Sequence, residues 1–451
     1  MSKERNMSVI VRVAPSPTGR LHIGNIRAAL VNWLFARREG GQFMLRLDDT
    51  DLERSTQEYA DGIVEDLNWL GITHDFTAKQ SDRFAEYDAA VEKLKAAGLL
   101  YPCYETPDEL DMKRKRQRLR GLPPVYDRSA LELTSDEIAK FEAEGRTPHW
   151  RFKLSGKTIK WDDVIRGESS VETQSLSDPI LIRGDGTYLY TLPSVVDDID
   201  FKVTHVIRGE DHVTNSGAQI EIFEALGGPV PKMGHFPFLI GADGKGLSKR
   251  LGSLSVKQLR EDGYEPMAIC SVLAKIGTSD PVEPRHSLEE LVAECELSKI
   301  SRSPAKFDEI ELKNMNARLL HEMPFFEASA QLEARGLKVS ELLWETVREN
   351  LDSFDDIAEW IKVVEGPITP IIEDADFIAK VLELLPAGEP TDETWGQWAG
   401  AIKEATGAKG KSLFMPLRKA LTGMDHGPSM QNLLVLIGGD KARGRLRGET
   451  V

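Results

Sequence analysis

Cysteine is scarce in this chain. Its three cysteines, Cys103, Cys270 and Cys295, are odd in number and far apart, which argues against a disulfide framework. No CxxC or CxC pair occurs, so no structural zinc is expected. Cys270 lies in the apolar run PMAICSVLAKIG and reads as a buried helix residue. Long apolar runs are missing too. None approaches the roughly 20 residues of a membrane span, so no membrane contact is expected. The opening MSKERNMSVI has no apolar signal core. Together with the sparse cysteine, this leads to the expectation of a cytoplasmic protein. Positive charge is in deficit: 57 Lys and Arg face 73 Asp and Glu, a net charge of −16. Such a body disfavours general adhesion to nucleic acid, so any RNA contact has to use local basic surfaces. Internal repeats and long low-complexity segments are absent as well.

What is present fits a globular chain. Hydrophobic residues make up 41% and charged residues 29% of the 451, a length that suits about three domains. The start reads as a βαβ unit. Val9 to Val13 (VIVRV) is a β-branched run, Ala14 to Gly19 (APSPTG) a loop, and Ile23 to Arg38 a helix. Ile26, Leu30, Trp33 and Leu34 recur at helical spacing, and Gly40-Gly41 ends the pattern. Phe43 to Leu47 (FMLRL) reads as the second strand and runs into the acidic cluster Asp48-Asp49-Thr50-Asp51. In such sheets ligands sit beyond the carboxyl ends of the strands, where APSPTG and DDTD both fall.

From about residue 100 the text changes, with a basic stretch MKRKRQRLRG followed by strand-like HWRFKL and TIKWDDVI. It reads as an insertion. Strand and loop signals return over Tyr188 to Arg208, and a glycine-rich loop GADGKGLSKRLGS follows at 241–253. From about 256 onward helical patterns such as FDEIELKNMNARLLHEM dominate.

Two short strings carry chemistry. His22-Ile23-Gly24-Asn25 opens the first helix, where free N–H groups and the positive dipole end favour phosphate. An imidazole there can donate to phosphate oxygens as charge builds in a transition state. Gly24 leaves room for a flat base against the backbone. Gly246-Leu247-Ser248-Lys249-Arg250 lies in the glycine-rich loop, from which Lys249 can reach phosphates as a point charge with Ser248 assisting. Alone, each string also reads as something ordinary: a polar first turn, or an exposed basic loop.

In order along the chain stand RVAPSPTGRLHIGN, LRLDDTD, TYLYTLPSVVDD, VIRGEDH and GLSKR. This succession resembles the class I glutamyl-tRNA synthetases from about Val9 to the C-terminal SLFMPLRKALTGMDHGP. HIGN stands where that family carries its HIGH-type motif, and GLSKR where it carries a KMSKS-type loop, usually KLSKR or KISKR. The resemblance implies an α/β Rossmann-like catalytic domain with an α+β insertion, followed by all-α C-terminal domains. The boundaries expected are 7–100 with 190–255 for the catalytic domain, 101–189 for an inserted acceptor-end domain, 256–325 for a helical stem-contact domain and 326–451 for a helical anticodon-binding domain. It implies ATP-dependent activation of glutamate to the adenylate and transfer to the 3′ end of tRNA(Glu), in a monomer. ATP and Mg²⁺ are expected, with L-glutamate and tRNA(Glu), and tRNA(Gln) as a second possible acceptor.

Residue by residue, the resemblance implies catalysis by His22 and Lys249. ATP binding falls to His22, Gly24, Asn25, Leu247, Ser248 and Lys249, and glutamate binding to Arg12, Ser16, Asp48, Tyr190, Ser194 and Arg208. The types suit the ligand: arginine forks grip carboxylates bidentately, and a carboxylate holds an ammonium. Two departures stand out. Asp48 replaces the family's more frequent Glu, and Gly246 replaces the first lysine of the loop, with Lys245 one residue earlier. RNA contact is expected from Lys113, Arg114, Lys115, Arg116, Arg118 and Arg120, and from Arg418, Lys419, Lys441, Arg443, Arg445 and Arg447. A solvated helix face explains such charge equally well. Three alternatives stay open: a shorter relative that glutamylates a tRNA base, a glutaminyl-tRNA synthetase, and a non-catalytic paralogue, for which Gly246 speaks.

Overall fold

The computed structural model describes residues 8–247 and 254–451. Two compact units divide the chain, Met1–Arg260 with Ile269–Asp308, and Glu261–Ala268 with Glu309–Val451. No helix among the described residues is long and apolar enough to cross a membrane.

The first unit starts with strand β1 (Ile10–Val13), helix α1 (Ile23–Arg38) and strand β2 (Gln42–Leu47). The apolar spacing read from the sequence is the buried face of α1: Ile26, Leu30, Trp33 and Leu34 are all buried. Each such side chain stabilises the fold by roughly 1.5–3 kcal/mol relative to exposure. His22 caps α1: its Nδ1 accepts from the Gly24 N–H at 3.2 Å, and Asn25 Oδ1 accepts from the His22 N–H at 3.3 Å. Helix α2 (Gln57–Trp69), strand β3 (Phe76–Lys79) and helix α3 (Phe84–Ala96) follow. β1, β2 and β3 form a parallel sheet in that order.

The insertion begins with β4 (Leu100–Cys103), α4 (Pro107–Leu119) and α5 (Ser135–Ala143). It continues with β5 (His149–Phe152), the hairpin β6 (Thr158–Asp163) and β7 (Gly167–Glu172), and β8 (Ile180–Ile182). β4, β5 and β8 pair as an antiparallel sheet.

The text at Tyr188 to Arg208 reads as strand and loop, yet Thr191–Asp200 is helix α6. Its β-branched content suggests extended chain, but Leu192, Val195, Val196 and Ile199 recur at helical spacing, and the first three are buried. Packing overrides propensity here. Pro193 lies in the first turn, where its missing N–H costs nothing. Strand β9 (His205–Gly209), helix α7 (Val213–Ala225) and strand β10 (Lys232–Phe236) complete the layer. β9 and β10 are parallel, and Thr204 joins them to β1: its N–H donates to the Ile10 carbonyl at 2.9 Å. The chain thus runs outward from β1 in one direction and from β9 in the other. Short strands β11 (Leu239–Gly241) and β12 (Ala305–Phe307) pair beside it.

The second unit is built of helices. Its core gathers Trp344, Phe354, Trp398, Leu417 and Leu434. The two indoles donate to the carbonyls of Met323 and Val381 at 2.9 and 2.8 Å, so neither buries an unpaired N–H. FDEIELKNMNARLLHEM supplies the helix Glu309–Glu322.

Candidate active site

Outside the carboxyl ends of β1 and β9 lies a cleft of about 1060 Å³. The strand order reverses between these two strands, and ligand crevices in open α/β sheets form at such points. Arg12, Ser16, His22, Gly24, Asn25, Asp48, Tyr190, Arg208 and Leu247 all line it, although 235 residues separate the first from the last. Gly246 lines it too. Ser194 does not: it is fully buried behind the cleft, where its hydroxyl accepts from Arg46 Nη2 at 3.3 Å. Ser248 and Lys249 lie outside the described residues.

The floor is a lattice of buried charge. Arg12 donates through Nε to Asp198 at 3.1 Å. Arg46 donates to Asp198 at 2.9 Å and to both oxygens of Asp48, at 2.7 and 3.2 Å. Burial raises the pKa of Asp48, against the pull of Arg46 and Arg12. Asp48 therefore enters the cleft with its carboxylate already oriented. Arg46 and Asp198 hold the cleft residues Asp48 and Arg12 in place, and the sequence reading missed both. Arg46 shows itself only as the alternate position in FMLRL, and Asp198 as one of the acids in SVVDD.

Arg208 is different. It is 6% exposed, and no carboxylate among the described residues comes within ion-pair distance of it. Its Nη1 donates to the Tyr190 hydroxyl at 2.8 Å, and its Nη2 to Ser216 and to Gln219 Oε1, both at 2.6 Å. Nε is buried without a partner. Burial pulls the Arg208 pKa down, and Arg12 adds to that pull against Tyr190 and Asp198. A guanidinium stays charged at such a site, so its cost is unmet until an anion arrives. His212 lines the same wall, its pKa lowered to about 4 by burial and then by Arg208.

His22 lines the cleft from the mouth of α1. Burial lowers its pKa, so the ring is neutral at pH 7. Because Nδ1 accepts from Gly24, the ring proton sits on Nε2, the form that can donate. The flanks of the GLSKR loop are held here as well. Ile23 N–H donates to the Leu254 carbonyl at 3.3 Å, and Val256 N–H to the Leu21 carbonyl at 3.0 Å. On the other flank, Gly246 bridges Ile240 and Leu247 reaches the cleft. The loop therefore leaves from the cleft and returns to the His22 turn.

The basic residues divide. Lys113 pairs with Glu105 and Asp127, and Lys115 with Asp111. Arg116, Arg118 and Arg120 are exposed and make no ion pair among the described residues. In the second unit, Arg445 is fully buried and donates to the carbonyls of Val363 and Leu421, so it is a core residue and not a phosphate contact. Arg443 and Lys441 likewise donate to backbone carbonyls. Away from the cleft, the ligand atoms of Cys103, Glu105 and His149 lie within 4.8 Å of one another. One oxygen of Glu105 already takes bonds from Lys113, Tyr126 and Ser129.

A parallel-sheet crevice with a histidine-capped helix on one side and buried arginines on the other defines a nucleotide-dependent enzyme of the class I synthetase type. The chain belongs to the class I tRNA synthetases (E and Q): that family's catalytic-domain model matches residues 8–317, and an anticodon binding domain matches 318–449. Glutamate–tRNA ligase 1 of Maricaulis maris is 60% identical over 440 residues, 97% of this chain and 99% of its own. Glutamate–tRNA ligase 2 of Hyphomonas neptunium is 59% identical, covering 97% and 99%. A glutamate tRNA ligase from Elizabethkingia meningosepticum, solved in complex with its amino acid, superposes with a TM-score of 0.85 at 28% identity, covering 98% of this chain and 99% of that one.

Proposed function

We propose that this chain is a glutamate–tRNA ligase that activates L-glutamate with ATP and transfers it to the 3′ end of tRNA(Glu). The observation that carries the reading is Arg208. A buried cation with no counter-ion, facing the cleft beside Tyr190, is matched by a substrate that brings a second carboxylate. Arg208 with Tyr190 takes the side-chain carboxylate. Arg12, turned by Asp198, bounds the same pocket, and Asp48 receives the α-ammonium. Ser16 lines the pocket beside them, and Ser194 acts from behind by fixing Arg46.

The α-carboxylate is then free to attack the α-phosphorus of ATP. A carboxyl oxygen–phosphorus bond forms, the bond to the bridging oxygen breaks, and pyrophosphate leaves. A terminal ribose hydroxyl of the tRNA then attacks the carbonyl carbon of the mixed anhydride and AMP departs. No enzyme nucleophile is needed. Catalysis is positioning plus stabilisation of phosphate charge. His22 Nε2–H, the N-terminus of α1 with Gly24 and Asn25, and the loop carrying Leu247, Ser248 and Lys249 provide it. Mg²⁺ supplies charge screening when bound to the triphosphate. Asp48 and Asp211 are the only carboxylates among the described cleft-lining residues, and Arg46 already chelates Asp48. Mg²⁺ would therefore be held chiefly through the triphosphate it accompanies and not by a protein cage. The protein acts in the cytoplasm as a monomer, and exposed Arg116, Arg118 and Arg120 contact tRNA phosphate.

Charging of separate tRNA(Glu) and tRNA(Gln) pools with labelled glutamate, ATP and Mg²⁺ tests this. Labelling of tRNA(Glu) alone makes the enzyme discriminating, and labelling of both extends the proposal to tRNA(Gln). Labelling of neither, by a folded protein that binds tRNA, overturns the activity and points to Gly246.

A further inference from the structure

Behind Arg208 runs a chain of buried polar groups that the reaction itself does not use. Ser216 Oγ accepts from Arg208 Nη2 at 2.6 Å and lies 2.9 Å from His235 Nε2. His235 Nδ1 lies 2.5 Å from Asp163 Oδ2. Ser216 and His235 are fully buried, and Asp163 is 2% exposed. The spacing is that of a serine–histidine–carboxylate series, but the serine faces an arginine and not the open cleft, so it is no nucleophile.

The direction of the bonds follows from the groups. Nδ1–H donates to Asp163, which leaves Nε2 as an acceptor. The single proton of Ser216 lies between that nitrogen at 2.9 Å and the His212 carbonyl at 3.1 Å. In either position the hydroxyl turns a lone pair toward Arg208. With the proton on the Nε2 side, every bond in the series points the same way, from the guanidinium to a buried carboxylate, and bonds aligned so polarise one another. A cation with no direct counter-ion is thus connected to a distant one.

Asp163 is itself held rigidly. Its Oδ1 accepts from the backbone N–H groups of Ile165, Arg166 and His235 at 3.0, 3.0 and 3.1 Å. It stands at the end of β6, so the anchor of the series comes from the inserted hairpin. Two glycines let that hairpin close on the catalytic layer. A Cβ on Gly234 would meet Val164 at 2.7 Å, and one on Gly217 would meet Val171 at 2.8 Å.

We propose that Asp163, His235 and Ser216 form a positioning relay that orients Arg208 for the substrate carboxylate, with His235 as the link between the inserted hairpin and the glutamate pocket. The proposal rests on the reading of Arg208 as the carboxylate-binding arginine. The test is steady-state charging of tRNA(Glu) by the full-length enzyme, with separate KM values for glutamate, ATP and tRNA. Ser216→Ala and His235→Phe raise the glutamate KM by roughly ten- to thirty-fold, the size expected when a hydrogen bond to a charged group is lost. The KM values for ATP and tRNA stay within about two-fold, since those ligands do not depend on Arg208. His235→Gln, whose amide can accept from Ser216 in place of Nε2, recovers most of the glutamate affinity. Circular dichroism identifies a variant that fails to fold, in which case the other carries the test. Arg208→Lys is the control. If Arg208→Lys leaves the glutamate KM unchanged, the pocket reading fails and the relay with it. If that variant weakens glutamate while folded Ser216→Ala and His235→Phe change kcat alone, or all three KM values together, the relay is overturned and the pocket stands.

Discussion

At the scale of single residues, the cleft separates charges that are finished from charges that are waiting. Arg12 and Arg46 each have carboxylate partners within the fold, whereas Arg208 has hydroxyl and amide partners only. The loop that carries Lys249 has one flank lining the cleft at Leu247 and the other bonded to the His22 turn. We expect Lys249→Ala to lower the rate of glutamate activation by about 10²–10³-fold, the usual loss when one charge-stabilising donor is removed. An unchanged thermal midpoint in the same variant would show that the loss is one of function and not of folding. Near-normal charging by that variant would remove the loop from the mechanism. Arg12, Asp48, Tyr190 and Arg208 were legible because each stands inside an ordered succession of motifs. Arg46, Asp198, Ser216 and His235 were not, because nothing in their local text says which partner they meet across the fold.

At the scale of elements, the inserted hairpin fits the catalytic layer through bare backbone. Val164 N–H donates to the Met233 carbonyl at 2.9 Å, and the side chain of Val164 fills the space over Gly234. A side chain at Gly234 has to displace the hairpin, and overpacking of this kind costs roughly 1–3 kcal/mol. Gly234→Val should therefore lower the urea midpoint at unchanged m-value and weaken glutamate binding as Asp163 is pulled from His235. A stable variant with unaltered glutamate KM would show that the hairpin's seat is independent of the pocket. α1 was readable because its apolar residues recur at helical spacing and glycines end it, and β2 because a short apolar run stands between Gly41 and an acidic cluster. α6 was not: TLPSVVDDID has strand-like composition, and only burial of Leu192, Val195 and Val196 on one face fixes it as helix.

At the scale of the whole molecule, the first unit holds neutral imidazoles in buried and half-buried places. Burial lowers the pKa values of His149, His205 and His212 to about 4, helped by Arg151, Lys232 and Arg208 respectively. In the unfolded chain each titrates near 6.5. Between about pH 6.5 and 4 the unfolded state binds more protons, so folding stability is complete above 6.5 and falls as pH drops through that window. Asp163 adds a second loss further down. Burial opposes its ionisation, but the His235 and backbone bonds prevail and hold it at about 2. Its contribution is present above the unfolded carboxylate value and is lost as pH falls toward 2. Calorimetry from pH 7.5 to 4.5 should show the midpoint falling steadily below about 6.5. A flat profile would mean that these imidazoles become charged without leaving their sites.

The sequence by itself determined the class of chemistry and the order of the parts. A histidine-led helix start, an acid-ended strand, a basic loop and a helical second half follow from local text, because glycine, proline and apolar period act within a few residues. Its ordered motifs also named Arg12, Ser16, Asp48, Tyr190 and Arg208, which the fold brings to one cleft. The tertiary structure alone decided how charge is shared among them. Ion pairing and burial join residues far apart in the chain, such as Arg12 with Asp198 and His235 with Asp163. Strand register and helix packing set those distances. That is why the arginine left without a counter-ion could be named from the sequence as a candidate, but recognised as the waiting one only in the fold.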